Sequence, residues 1–237
     1  MVKGGRRLTR PQLMALAQAA LDNAVGLLDD ARILLEMRRW PRACSLAVLA
    51  AEEYGKFYLS VVTALQLKTA TTEIWTKFWK DFGGHQPKYT NLIGQFVDSQ
   101  DWGPVGGPGD AEWLNAWNSR SQRAADSDKL KQKGFYVDVD RGTGAVLTPT
   151  QSIDEDSAIQ QVETVESVVR RHAALFSGGL TSLATPPPEF ERFWEEAKAL
   201  KAAGEPSRAD AAALWEKYFG DIADASPDGR QAKGRQA

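Results

Sequence analysis

Three charged side chains interrupt an apolar stretch. In SLAVLAAEEYGKFYLSVVTAL, residues 45–65, Glu52, Glu53 and Lys56 stand among Leu, Val, Ala and aromatics. A carboxylate on an inward helix face is costly unless it is paired. With Leu46 at zero and about 100° per residue, Glu53 falls near 340°, inside the stripe of Leu49, Ala50 and Phe57. Lys56 flanks the stripe, and Glu52, near 240° on the same wheel, faces solvent. Glu52 and Lys56 are also a favourable i, i+4 pair. Three readings of Glu53 stay open: a structural tie to Lys56 or an arginine, the wall of a polar cleft, or a rotated helix that exposes it. Gly55 lowers helix stability by about 1 kcal/mol relative to Ala, which suits a close approach by another helix or a ligand.

The chain has two histidines, His85 and His172. Imidazole is the usual acid–base group near neutral pH. His85 follows a Gly-Gly turn in FGGHQPKY and starts a helix, with Lys88 on the same side of its first turn. The alternative for His85 is a capping or surface histidine. His172, in VVRRHAALF, lies near a helix end with Arg170 and Arg171, where positive charge favours the dipole, and is read as structural. Arg120 and Arg123, three apart on a helix, share one face, either toward phosphates or toward solvent. One cysteine and two distant histidines leave a transition metal dependent on carboxylates that the sequence does not locate, so no metal and no cofactor is predicted. The Gly-rich DWGPVGGPGD lacks the Gly-Lys-Ser/Thr ending of a phosphate loop.

Helices must position these groups. Thr9 to Gln12 open a first helix with a Thr/Gln capping pair, and apolar residues from Leu13 to Leu35 recur at three and four. Pro41 opens a second helix reaching about Lys68. Further helices are expected over 72–82, 86–99 and 110–131, the last with Trp113, Leu114 and Trp117 inward. A short β-hairpin follows, Phe135 to Val139 and Ala145 to Thr148. A long helix capped near Ser152 or Asp154 carries Ile159, Val162, Val165, Val169 and Leu175 inward. The expected fold is an all-α antiparallel bundle with a hairpin near 134–148, spanning 1–183. A Pro-rich linker (184–188), a C-terminal helical pair (189–220) and a structureless tail (221–237) complete it.

The 237 residues are 43% apolar and 25% charged, ordinary for a globular protein. Cys44 alone cannot staple a fold, which suits a reducing compartment, and a cytoplasmic location is expected. The basic start MVKGGRRLTR has no apolar segment of a secretory signal, and the charges in residues 43–65 argue against a membrane span. Net charge is −2 but uneven. Residues 1–133 hold 18 Lys and Arg against 14 Asp and Glu, and 134–237 hold 11 against 17. The first part offers basic surface for phosphates, or simply ordinary surface charge.

Three segments, RWPRACSLAVLAAEEYGK, WTKFWKDFGGHQPK and LKQKGFYVDVD, together resemble the AbiV family of bacterial abortive-infection proteins, placed among the HEPN domains. The similarity spans residues from about 11 to 180. It implies a HEPN-like helical bundle and defence against phage. Many HEPN domains are metal-independent ribonucleases, often with the active cleft between two protomers. Their signature is Arg, four to six residues, then His. Here Lys80 holds that place before His85, with the charge but without the planar fork of Arg. The resemblance points at Glu53, Lys56, His85 and Lys88 as catalytic residues. It adds Lys80, Arg120, Arg123, Lys133 and Tyr136 as RNA or phosphate contacts. It implies RNA, a phage-encoded trigger and a homodimer as partners. The alternative is a non-catalytic binding module that senses a phage product or docks on the translation machinery. Nucleotidyl or phosphate-group chemistry is a third class, and dependence on added metal would favour it.

Overall fold

The computed structural model describes residues 5–67, 70–98, 100, 107, 109–180, 188–204 and 207–223. Ten helices and one hairpin run along the described chain: α1 Arg10–Glu36, α2 Trp40–Leu65, α3 Thr72–Gly83, α4 His85–Asp98, α5 Gly109–Asn118, α6 Arg120–Phe135, β1 Asp138–Val139, β2 Val146–Leu147, α7 Pro149–Ser152, α8 Glu155–Leu175, α9 Pro188–Ala203 and α10 Arg208–Ala223. The all-α bundle with a short hairpin is therefore as the sequence implies. No helix among the described residues is long and apolar enough to cross a membrane. Residues 184–187 of the linker expected over 184–188, most of the Gly-rich loop and the tail beyond 223 lie outside the described residues; Pro188 already belongs to α9, and α10 extends three residues into the tail expected from 221.

The chain divides into two compact units. One holds Met1–Gln100 and Asn115–Ala184, the other Asp101–Leu114 and Thr185–Ala237. In the second, α9 and α10 are tied by Lys217 and Tyr218 to Glu196, at 2.7 and 2.6 Å, and Arg208 reaches Asp110 at 2.8 Å.

In the first unit α2 is the central element. It packs against α1, α4, α6 and α8, which is why its buried residues are not confined to one stripe. The expected capping box opens α1, with Thr9 and Gln12 satisfying each other's backbone N–H groups. Leu13, Leu21 and Leu28 from α1, Val48, Tyr54 and Phe57 from α2, Leu92 and Val97 from α4, and Val162, Val165, Val168 and Val169 from α8 make the fully buried core. Asp154 caps α8 by accepting from the Ser157 N–H at 2.8 Å. His172 is half-buried against that core: Nδ1–H donates to Val168 O at 3.0 Å, leaving Nε2 to accept from the Tyr54 hydroxyl at 3.3 Å. Its burial, together with nearby Arg171, lowers its pKa below the ordinary value against the backbone bond to Val168, in keeping with the structural reading.

Three expectations need correction. The helix expected over 110–131 breaks at Ser119, and its second half runs on to Phe135, so the hairpin shrinks to two residues per strand, Asp138 opposite Leu147 and Val139 opposite Val146. Gly134, inside α6, allows that extension because the helix presses there on α2. A Cβ on Gly134 would overlap Ser45 Oγ and Pro41 O. Leu114 and Leu175, both expected inward, are exposed, whereas Trp113 is buried; Leu175 is the last residue of α8, beyond the stretch that packs on α1 and α2. The third correction is the rotation of α2, which decides the site.

Candidate functional site

Glu52, not Glu53, is the buried carboxylate, at 5% exposure. The wheel built on Leu46 misplaces the inward face because Leu46 and Leu49 are only half-buried. The face toward α4 and α6 is instead Ser45, Val48, Glu52 and Gly55, spaced i, i+3, i+7 and i+10. Small residues mark it because neighbouring backbones come close. A Cβ on Gly55 would overlap the carbonyl and Cα of Lys88, so the helix-weakening glycine is explained by contact with α4. α6 presents the same spacing in Ala124, Ser127, Lys131 and Gly134. The Ser45 hydroxyl, between the carbonyls of Pro41 and Lys131 at 3.0 Å each, ties the two helices.

These contacts collect a charged cluster around Glu52. Lys131 Nζ donates to Glu52 Oε1 at 2.5 Å, and His85 Nδ1 lies 2.7 Å from Oε2. Lys88 Nζ is 3.6 Å from Oε2, and Lys131 also pairs with Asp128 at 2.8 Å. Both lysine side chains are buried, whereas the His85 side chain is 56% exposed. With Nδ1–H donating to Glu52, the tautomer is set and Nε2 is turned to the open side as an acceptor.

Burial works to raise the Glu52 pKa, but hydrogen bonds and charge from Lys131 and His85 outweigh it and hold the carboxyl below its ordinary value. The two lysines shift in opposite directions. Burial lowers the pKa of Lys88, and Glu52 offsets this only in part. For Lys131 burial also lowers, yet its ties to Asp128 and Glu52 prevail and the pKa rises. Lys131 is thus a fixed cation, and Lys88 is the ammonium that gives up its proton more readily.

Of the residues nominated from sequence, His85 and Lys88 enter this cluster. Glu53 and Lys56 pair with each other at 2.5 Å at its edge, with Lys56 over the Phe82 ring at 5.6 Å. That pairing matches the structural-tie reading of Glu53. Lys80 is exposed on α3. Arg120 stacks on Trp117, 4.3 Å from the ring centroid, and donates to Trp117 O at 2.6 Å, while Arg123 is exposed. Lys133 and Tyr136 line a groove of ≈ 480 Å³ that also reaches Asp128.

Sequence reasoning missed Lys131 and Asp128 and turned Glu52 outward. The signal was the shared spacing of small residues on α2 and α6, with a carboxylate and an ammonium each at the i+7 place. Glu52, His85 and Asp128 each offer a ligand atom, all within 4.8 Å of one another, so the carboxylates that a metal would need do lie beside His85. The Lys131 ammonium sits among these three, 3.4 Å from His85 Nδ1, where it supplies the positive charge itself.

The three motifs that carry the family resemblance supply this cluster: Glu52 from the first, His85 and Lys88 from the second, Lys131 from the third. A family model of HEPN type, described as AbiV, matches residues 12–170. The chain belongs to the AbiV family. AbiV membership points to abortive infection, the defence of a population against phage. No curated protein and no solved structure matches the chain. The AbiV match runs from the first turn of α1 through most of α8, and so encloses all of the Glu52 cluster.

Proposed function

We propose that this AbiV protein acts in abortive infection as a metal-independent endoribonuclease with His85 as its acid–base group. The observation that carries the reading is the Glu52–His85 pair. A buried, ionised carboxylate orients an imidazole whose other nitrogen faces solvent. In metal-free RNA cleavage the 2′-hydroxyl attacks the adjacent phosphate, and a base takes its proton. His85 Nε2 is placed for that. As the proton arrives, the imidazolium is stabilised by Glu52, in the way a carboxylate supports a catalytic histidine elsewhere. Lys131 keeps Glu52 ionised and fixed. Lys56 and Lys80, nearer solvent, offer cations to the phosphate oxygens. Protonating the leaving 5′-oxygen needs a second acid, and a second copy of the chain in a homodimer would bring one with its own His85.

The test uses purified protein and total bacterial RNA in EDTA. Wild type should cleave and His85→Ala should not, with unchanged helical content by circular dichroism. A His85→Ala protein as active as wild type sinks the mechanism. Cleavage that requires added metal would move the site to a different reaction class.

One observation favours a second reading, a non-catalytic module that docks on a phage product or the translation machinery. The hairpin and the segment before it expose Tyr136, Val137, Val139 and Val146, all at half or more of their surface. Apolar exposure of this kind marks interaction surfaces. Failure to cleave any RNA, with tight capture of a phage protein lost on Val137→Asp, would support that reading.

A further inference from the structure

Three arginines that nothing in the fold explains stand at the junction of α1 and α2, Arg38 and Arg39 in the turn and Arg42 in the first turn of α2. Arg38 has φ 55°, the one non-glycine residue with positive φ among the described residues. Its N–H bonds to Leu35 O at 2.9 Å and the Arg39 N–H to Leu34 O at 2.8 Å. This is the double bond pattern that closes a helix over a left-handed residue, a place where glycine is customary. A side chain there costs about 1–2 kcal/mol. Arg38, Arg39 and Arg42 are all exposed, and among the described residues none has an ion pair or a side-chain hydrogen bond. Arg32 and Arg170 of the same unit, by contrast, are tied to Glu166 and Asp29.

The three arginines line a cavity of ≈ 260 Å³ together with Trp40, Phe135 and, at its floor, the buried Ile153. The cavity lies at the N-terminal end of α2, a 26-residue helix with no acidic residue in its first turn and no side-chain cap. The positive end of that dipole is therefore uncompensated. Unpaired guanidinium forks beside two aromatic side chains are the elements that bind a phosphate next to a base. An acidic peptide would use the arginines but not the aromatic wall, and a duplex keeps its bases stacked out of reach of a cavity this size.

We propose that this cavity is a binding subsite for one nucleotide of single-stranded RNA, its base against Trp40 and Phe135 and its phosphate on Arg38, Arg39 and Arg42. The identity of the strand rests on the ribonuclease reading, whereas the site stands on its own geometry. α6 carries Lys131 one turn before Phe135, and α2 carries Glu52 ten residues after Arg42, about 15 Å along the helix. A strand of a few nucleotides spans that distance, so the subsite would hold RNA whose neighbouring phosphates lie near His85.

The test measures binding in the uncleaving His85→Ala protein, by fluorescence anisotropy with a labelled oligoadenylate of about ten nucleotides, a length typical of single-strand sites. Adding Arg38→Gly and Arg42→Gln should weaken binding at least about tenfold, and lower the log–log salt slope by about 0.7, the value for one phosphate neutralised on a single strand. Arg38→Gly alone should leave the Tm of the protein the same or higher, because glycine suits the left-handed turn. Unchanged affinity in the double variant, or no binding of the oligonucleotide before it, overturns the subsite even if wild type cleaves RNA. Loss of binding in the double variant while wild type fails to cleave keeps the subsite and refutes the ribonuclease. Equal displacement of the oligonucleotide by inorganic phosphate and by adenosine monophosphate would show an anion site without base recognition. Equal binding of a duplex would also overturn the proposal, and a lowered Tm for Arg38→Gly would overturn the account of Arg38.

Discussion

Replacing Glu52 by Gln should be the most damaging single change in the cluster, and the damage should be unequal among its partners. Glu52 is 5% exposed and is the sole ion-pair partner of Lys88 among the described residues. Its removal leaves two buried ammonium groups, with only Asp128 near Lys131. Breaking a buried pair from one side costs about 3–5 kcal/mol. Lys131→Met should cost less, about 1–3 kcal/mol, because Glu52 keeps Lys88 and His85 and the partly exposed Asp128 turns to water. Lys88→Met should cost about 0–1 kcal/mol, since its pair is long, at 3.6 Å, and burial already opposes its charge. His85→Ala, at an exposed side chain, should cost under about 1 kcal/mol, which keeps the activity test free of unfolding. Equilibrium urea unfolding followed by circular dichroism reads all four. The sign with pH follows from the lowered pKa of Glu52. Its contribution is complete above the ordinary carboxylate pKa and is lost as pH falls through the folded value, so Glu52→Gln should flatten the acid limb of the stability curve. A Lys88→Met protein as unstable as Glu52→Gln, or a Glu52→Gln cost below about 1 kcal/mol, would refute a Glu52-centred cluster.

Gly55→Ala should destabilise by about 1–3 kcal/mol, although alanine favours a helix by about 1 kcal/mol, because the new methyl overlaps the Lys88 backbone. Thermal unfolding checks this, and a stabilised variant contradicts the close approach of α2 and α4. Burial pushes the Cys44 thiol up to about 12, so native protein should not react with a disulfide reagent at neutral pH, while denatured protein should titrate one thiol. His172 has a lowered pKa, so the unfolded chain takes up its proton first and stability should fall as pH drops below about 6.5. His172→Phe should remove that slope, and an unchanged slope would place the titration elsewhere.

The helices were legible because their periodicity, caps and breakers are local. Thr9 with Gln12, Pro41, and the Gly83-Gly84 pair each mark a boundary within a few residues of where it falls. The break at Ser119 was not legible, since polar residues there suit either a continued helix or a turn, and packing decides. The site was half legible. His85 and Lys88 stand one turn apart at a helix start, which sequence spacing alone conveys. Glu52 was misplaced because a single stripe was sought on a helix that is packed on several sides. For such a helix the informative residues are not the large apolar ones but Ser45, Gly55 and, across the contact, Gly134. Lys131 was hidden in the strongly polar run DKLKQKGF, where nothing but the partner helix distinguishes it from Lys129 and Lys133.

The close approaches at Gly55 and Gly134 also bear on the order in which the protein is made. α1 and α2 are neighbours in sequence joined by a three-residue turn, so their pairing closes a short loop and is the cheapest in chain entropy. Glu52 gains His85 only across 33 residues and Lys131 across 79. A chain emerging from the ribosome thus holds its carboxylate long before it holds the cation that keeps it in place. The glycines admit α4 and α6 only at contact distance, so a loosely collapsed bundle does not assemble the cluster. On the ribonuclease reading, cleavage would begin only when the domain is finished, and a truncated or half-folded copy would be silent.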